Sequence, residues 1–433
     1  MIDKVKIYKE VNLDIKKFDK RFKYKTYTKE PVIDFETGEV LKEGYTFEGY
    51  VYKHNSVAII YSPKTRRLKV EGRLPNLAIT RNLVHNLDDY MLGQEMIVSA
   101  TEKEHSENYL CEHSWYNADD ELCFPDATYT EYETVNEYIW DIVNNINEKL
   151  YDLTKVRFDI LNFNITYAEV TFNIFDVEYV GRYIELFNMI FDEKQDKRYK
   201  NFVREMDLAR DTSFYVKPKG KYDKNTKDAY TVNFYNKENQ LLALASNPKN
   251  KSHVTHRDKR LAKNVLRLEV QLGYQELKKT EKVFKQLLDI FFCHSIIVEK
   301  YRWFISKNEN LDFYSYQEAK KIIMKTDKLE PNERKGLLTY IQDKYQKNKK
   351  VSDQTRRKYN KLLELIGIHW CFIPTKWGIN YLISPMKLLK EKIDVIIGQI
   401  DDIDEYLEWI GVDIEALMKE QEVECRVDET PFD

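Results

Sequence analysis

The spacing of apolar and polar positions divides the chain into a strand-rich front and a helix-rich back. An apolar run from Val57 to Tyr61 leads into Ser62-Pro63-Lys64, and Arg66 to Glu71 then alternates in polarity, which predicts a hairpin. Helical spacing follows over residues 82–100 and again over 135–150, where Thr134 stands three residues before Glu137 as in a capping box. Residues 105–126 are polar and irregular and read as a loop. A strand is expected over 162–175, with a helix over 177–191 behind it. Short strands at 212–216 and 230–235 come next, then a strand at 265–272 and a helix over 275–292.

Beyond about residue 300 the spacing is mostly helical. Pro331 suits the first turn of a helix reaching Tyr345, and Ser352 caps a second helix that ends at Gly367. Residues 370–373 and 379–383 flank a turn containing Pro374 and Gly378, and pair as a wing. Helix, basic helix and hairpin together suggest a winged helix-turn-helix. The expected architecture is α+β: a sheet-based module over 1–300, a linker between about 295 and 312, a helical module over 301–400 and an acidic tail over 401–433.

Neighbouring strand residues point to opposite faces. Over 162–175, Ala168, Val170, Phe172 and Ile174 share one face, while Tyr167, Glu169, Thr171 and Asn173 share the other. Val232 and Phe234 stand opposite Asn233, Tyr235 and Lys237. Leu266, Leu268, Val270 and Leu272 stand opposite Arg267, Glu269 and Gln271. Alternation of this kind is ordinary for a sheet with one open face, and cross-strand ion pairs would account for it. The polar faces nonetheless hold two carboxylates, a tyrosine, a lysine and an arginine. Those groups suit metal-assisted phosphoryl transfer, in which carboxylates hold a hard cation, a hydroxyl attacks and cations steady the phosphate.

Composition changes this picture in two places. Of the 433 residues, 42% are hydrophobic, enough for a sizeable core, and no apolar run reaches membrane-spanning length. MIDKVKIYKEVNL has no apolar leader core, and the five cysteines lack CxxC spacing, so a reducing cytoplasm without membrane association is expected. The net charge of −3 hides an asymmetry: residues 194–263 carry 18 Lys/Arg against 8 Asp/Glu, and residues 401–433 carry 2 against 13. A basic middle and an acidic tail fit a nucleic-acid protein. Lys217, Lys219, Lys221, Lys224 and Lys227 form a basic loop able to track a DNA backbone. His105 and His113 read as surface histidines, and HVTH at residues 253–256 has the wrong spacing for a His-hydrophobe-His metal motif.

LKVEGRLPNLAITRNL (68–83), ITYAEVTF (165–172), TVNFYNKENQLLALASNP (231–248) and VLRLEVQLGYQELKK (265–279) resemble, in the same order, successive blocks of the filamentous-phage gene II/X family of phage and plasmid replication initiators. RRKYNKLLELIGI (356–368) is similar to that family's C-terminal region, so the resemblance spans roughly residues 45–367. It implies a sheet-based tyrosine nicking-endonuclease domain of the rolling-circle initiator kind. Such a domain cuts one strand of an origin, links the 5′ phosphate to a tyrosine and frees a 3′ hydroxyl as primer. On the matching blocks Tyr235 becomes the nucleophile, with Lys237 two positions on and Glu269 beside Arg267.

Glu169 falls where the family usually has Asp in an R-x-D strand; here Tyr167 replaces the Arg. Asp207, in REMDLARD, is a competing carboxylate with a poorer fit to the block order. Oxygen donors imply Mg2+ or Mn2+. Expected partners are single-stranded and duplex origin DNA, the duplex held through Arg356, Arg357, Lys358 and Lys361, with a host helicase and polymerase beyond them. The rival expectation is a non-enzymatic origin- or operator-binding protein, which would need neither Tyr235 nor the paired carboxylates.

Overall fold

The computed structural model describes residues 2–29, 32–33, 40–42, 45–54, 57–73, 96–99, 115–116, 122–123, 127–130, 135–194, 196–203, 208–219, 229–246, 254, 256–280, 282–346 and 352–397. Ten strands form one antiparallel sheet. They are β1 (Ile2–Glu10), β2 (Lys23–Lys29), β3 (Tyr45–His54), β4 (Val57–Ser62), β5 (Arg67–Arg73), β6 (Asn164–Ile174), β7 (Tyr199–Asn201), β8 (Ser213–Pro218), β9 (Tyr230–Asn236) and β10 (Leu266–Gly273). Their spatial order is β7-β8-β9-β10-β6-β1-β5-β4-β3-β2. The protein is therefore a mixed α+β structure built on a large antiparallel sheet.

Alternation decides which face of this sheet is covered. Val5, Ile7, Val70, Ala168, Val170, Phe172, Val232, Phe234, Leu268 and Val270 are buried in one hydrophobic cluster. The helices α1 (Val135–Thr154), α2 (Val180–Lys194) and α4 (Ile290–Phe304) bring Ile142, Ile146, Ile184, Phe187, Ile297 and Tyr301 to the same cluster. Here α3 is Lys237–Ser246, which continues directly from β9. The opposite face of the central strands carries the polar residues singled out above.

Further helices are α5 (Tyr316–Lys325), α6 (Pro331–Gln346), α7 (Asp353–Leu365) and α8 (Pro385–Ile397), and a short one spans His256–Leu261. Ser352 caps α7 by accepting the Thr355 N–H at 3.2 Å. At the other end Gly367 has φ +76°, Ile368 N–H donates to Leu363 O at 2.9 Å and Gly367 N–H to Glu364 O at 3.0 Å. That is a Schellman ending, and the left-handed glycine makes it possible. Helices α5, α6 and α7 share a small core of their own. Phe313, Ile373, Leu382, Met386, Leu389 and Ile393 instead join the main cluster that begins at Val5.

Several expectations are corrected. The helix expected over 82–100 is a strand at Met96–Ser99, paired with Ala127–Thr130; residues 82–95 and 100 lie outside the described set. The helix expected over 275–292 is instead a short turn at Tyr274–Leu277, a 3-10 turn at Phe284–Leu288 and then α4. Asp289 causes the restart: its carboxylate accepts the Phe291 and Phe292 N–H groups at 2.8 and 3.2 Å, fixing a new N-terminus there. Much of the expected linker is consequently α4, with Ile297, Tyr301 and Phe304 in the core.

The wing also differs. Tyr381–Leu382 pairs with Phe313–Tyr314, and Ile373 makes a bridge to Ser315. Asp312 draws the two segments together, accepting from Ser384 N–H and Lys387 Nζ, each at 2.7 Å. Thr134, His105, His113, His253, Asp207, Lys221, Lys224, Lys227 and the tail 401–433 lie outside the described residues.

Candidate active site

The three strands carrying the candidate groups are direct neighbours, in the order β9-β10-β6. In-register rows run across them: Tyr235 opposite Arg267 opposite Asn173, and Asn233 opposite Glu269 opposite Thr171. A third row places Thr231, Gln271, Glu169 and Lys4 side by side, the last on β1. Paired residues of an antiparallel sheet share a face, so the polar halves of all four strands meet on one surface.

Within that surface the Tyr235 hydroxyl donates to Glu269 Oε2 at 3.0 Å and lies 3.4 Å from the Arg267 guanidinium. Gln271 donates to the other oxygen of Glu269 at 2.9 Å. Arg267 is 1% exposed and its Nε donates to Asn173 Oδ1 at 2.7 Å. A further carboxylate enters from β1. The pairing shifts register between Ile2 and Lys4, and Asp3 stands at that bulge. Asp3 bonds Arg73 and lies 3.4 Å from Arg267. Carboxylate oxygens of Asp3, Glu169 and Glu269 all fall within 4.8 Å of one another.

Burial and charge set the protonation of this group. Burial raises Glu169 to about 7, the nearby Glu269 charge adding to it and the Tyr167 hydroxyl bond and Lys4 opposing. Asp3 goes the other way: burial would raise it, yet Arg73, Arg267 and Lys237 together hold it below the ordinary carboxylate range. Burial and the Glu269 charge lift Tyr235 well above a free phenol, with Arg267 partly offsetting them. The Lys237 amine is pushed well below its usual value by burial and by Arg267.

The sequence candidates thus separate into a central cluster, the end of β8 and the helix α7. Tyr235, Lys237, Glu169, Glu269 and Arg267 come together, with Asp3, Arg73 and Asn173 added by the fold. Lys237 opens α3 and is buried, its Nζ donating to Gln240 at 2.7 Å. Arg267, expected to contact DNA, is buried here, and its partners include Tyr235, Asp3 and Asn173. Lys217 is half-buried on β8, its amine 4.3 Å from the Phe202 ring centre, and Lys219 follows just beyond that strand.

Arg356, Arg357 and Lys361 lie elsewhere, on α7, where with Lys194 and Lys307 they line a groove of about 690 Å3. Glu193 and Glu364 line it too, and Glu193 is paired with Lys344 at 3.1 Å. Lys358 does not line that groove; its amine lies 5.9 Å from the Tyr359 ring centre. Among the described residues no helix is long and apolar enough to cross a membrane. Comparison of the chain with protein-family models, with characterised proteins and with solved structures finds no match.

Proposed function

We propose that the protein is a rolling-circle replication initiator, active in the cytoplasm, that nicks one strand of origin DNA through Tyr235. The observation that carries this reading is the Tyr235 hydroxyl donating to a carboxylate, Glu269, inside a cluster of three. Because the phenol is held well above its usual pKa, it attacks as a neutral hydroxyl and must lose its proton as it does so. Glu269 is placed to take that proton. The phenolic oxygen forms a bond to phosphorus while the bond from phosphorus to the 3′ oxygen breaks, and a proton from water completes the 3′ hydroxyl. Arg267 steadies the negative charge gathering on the phenolic oxygen.

Asp3, Glu169 and Glu269 fit Mg2+ or Mn2+, since all their donors are carboxylate oxygens whose crowding a cation relieves. Such an ion, when bound, would polarise the phosphate. The groove lined by α7 serves in this reading as the contact to duplex origin DNA. An AT-rich single-stranded library with Mg2+ or Mn2+ provides the test, read as covalent protein–DNA adducts and mapped by mass spectrometry. Adducts on Tyr235 that vanish in Tyr235→Phe are expected. Adducts at wild-type yield in that variant would remove Tyr235 from the role. Tight DNA binding with no adduct on any substrate would favour a non-enzymatic origin binder.

A further inference from the structure

The face that carries the active site continues past it into a feature that the nicking chemistry leaves unused. A groove of about 450 Å3 lies over β1, β5, β4 and β3. Its floor is built from Val57, Ala58 and Gly72, all buried, and Lys4, Lys6 and Lys53 border it, all exposed. Glu71 is the one carboxylate among its lining residues.

Register explains why the lysines face this way. Val5 and Ile7 turn into the core, so Lys4 and Lys6 must turn to the open face. One row runs Tyr167, Lys6, Glu71, Ala58, Lys53 from β6 out to β3, and the adjacent row runs Glu169, Lys4, Arg73. The groove therefore begins one strand away from Glu169. Its far border at Lys53 is four strand spacings from β6, about 19 Å. Among the described residues none of the three amines makes an ion pair, and Lys6 sits 5.6 Å from the Tyr167 ring centre. A floor made of the Ala58 side chain and of strand backbone at Val57 and Gly72, bordered by these cations, suits a narrow chain of negative charges with flexible spacing.

We propose that this groove seats the sugar-phosphate backbone of the single strand flanking the scissile phosphate. The proposal rests on the nicking function above and names where its substrate lies. Lys4, Lys6 and Lys53 engage successive phosphates, and the small floor leaves room for the sugars between them. Interactions of this kind carry affinity and salt dependence but no sequence information.

The test uses the full chain and 5′-fluorescein single-stranded oligonucleotides, with anisotropy measured between 50 and 200 mM NaCl. Lys6→Ala/Lys53→Ala should weaken binding about tenfold and flatten the log–log salt slope by about 1.4, at roughly 0.7 for each phosphate of a single strand that is no longer neutralised. Lys320→Ala/Lys328→Ala makes the same charge change on exposed residues of the helical region and should bind as the wild type does. Circular dichroism confirms that the groove variant folds. Wild-type affinity and slope in that variant, with the wild type still forming Tyr235 adducts, would overturn the groove assignment alone. A wild type that binds the oligonucleotides but never forms an adduct would sink the nicking function, whatever the groove variant does. Absence of any binding by the wild type would overturn both.

Discussion

Replacing Glu169 with Gln removes one negative charge from three crowded carboxylates while keeping an acceptor for the Tyr167 hydroxyl. The folded protein raises Glu169 from 4.5 to about 7, so its ionised form is disfavoured on folding. Below the unfolded value both states are protonated and the residue contributes no penalty. As pH rises from about 4.5 to about 7 the unfolded chain ionises first, and stability falls. Between pH 5 and pH 8 the loss reaches at most about 2.5 kcal/mol, and remaining solvation at this half-buried group reduces it.

Other groups titrate over the same range with the opposite sign. His369 is lowered to about 3 by burial, so its contribution is present above pH 6.5 and is lost as pH falls. His294 is also lowered by burial and acts in the same direction. The raw pH profile of the wild type therefore mixes signs, and the quantity to follow is the difference between Glu169→Gln and wild type. Urea unfolding at pH 5, 6, 7 and 8 should show the variant gaining on the wild type by about 1–2.5 kcal/mol across the series. Millimolar Mg2+ or Mn2+ at pH 8 should narrow that gap, because a bound cation would stabilise the three-carboxylate site of the wild type. A difference that stays flat from pH 5 to pH 8 would show that burial and the neighbouring carboxylates do not raise Glu169.

Glu269→Gln should leave DNA binding intact but cut adduct formation at least a hundredfold, since it removes the acceptor for the Tyr235 proton; adduct kinetics under manganese excess will report it. Chelation should stop adduct formation in the wild type, and restored Mg2+ or Mn2+ should recover it. Arg356→Ala/Arg357→Ala should flatten the salt slope of duplex origin binding by up to about 2 while leaving cleavage of a short single strand unchanged. Gly49→Ala would drive a Cβ against the Tyr61 carbonyl oxygen, so β3 and β4 must separate and the urea midpoint should fall by the equivalent of about 1–3 kcal/mol.

Local pattern is sufficient wherever local physics decides the outcome. Alternation assigns Tyr235, Glu169, Glu269 and Arg267 to the polar faces of their strands, and Ser352 and Gly367 mark both ends of α7. What local pattern cannot supply is the pairing of distant strands. Asp3 reaches the centre because β1 lies beside β6, more than 150 positions away, and because a bulge turns it inward. The Val5/Ile7 alternation that marks β1 is visible, but nothing local says which strand it joins.

Burial of charge is equally hidden. Arg267 looks like a surface residue in the sequence, and distant partners, Asn173 and Asp3 among them, accompany its burial. The wing differs from expectation for a similar reason. Asp312, some seventy residues away, accepts from 381–387 and so decides where that segment pairs.

The position of β10 has a consequence for how the protein is made. It is the last of the ten strands along the chain, yet it lies between β9 and β6. While a ribosome is still adding residues 237–265, Tyr235 is already in the chain but Arg267 and Glu269 have not been made. The β7-β8-β9 ribbon then has no partner joining it to the strands from β6 to β2. Arrival of residues 266–273 closes the gap and completes the centre in the same event. A partly synthesised chain therefore carries Tyr235 without its partners Glu269 and Arg267. Pairing over such long separations is intrinsically slow, so the two open edges flanking the gap are where a nascent or misfolded chain would pair with another copy.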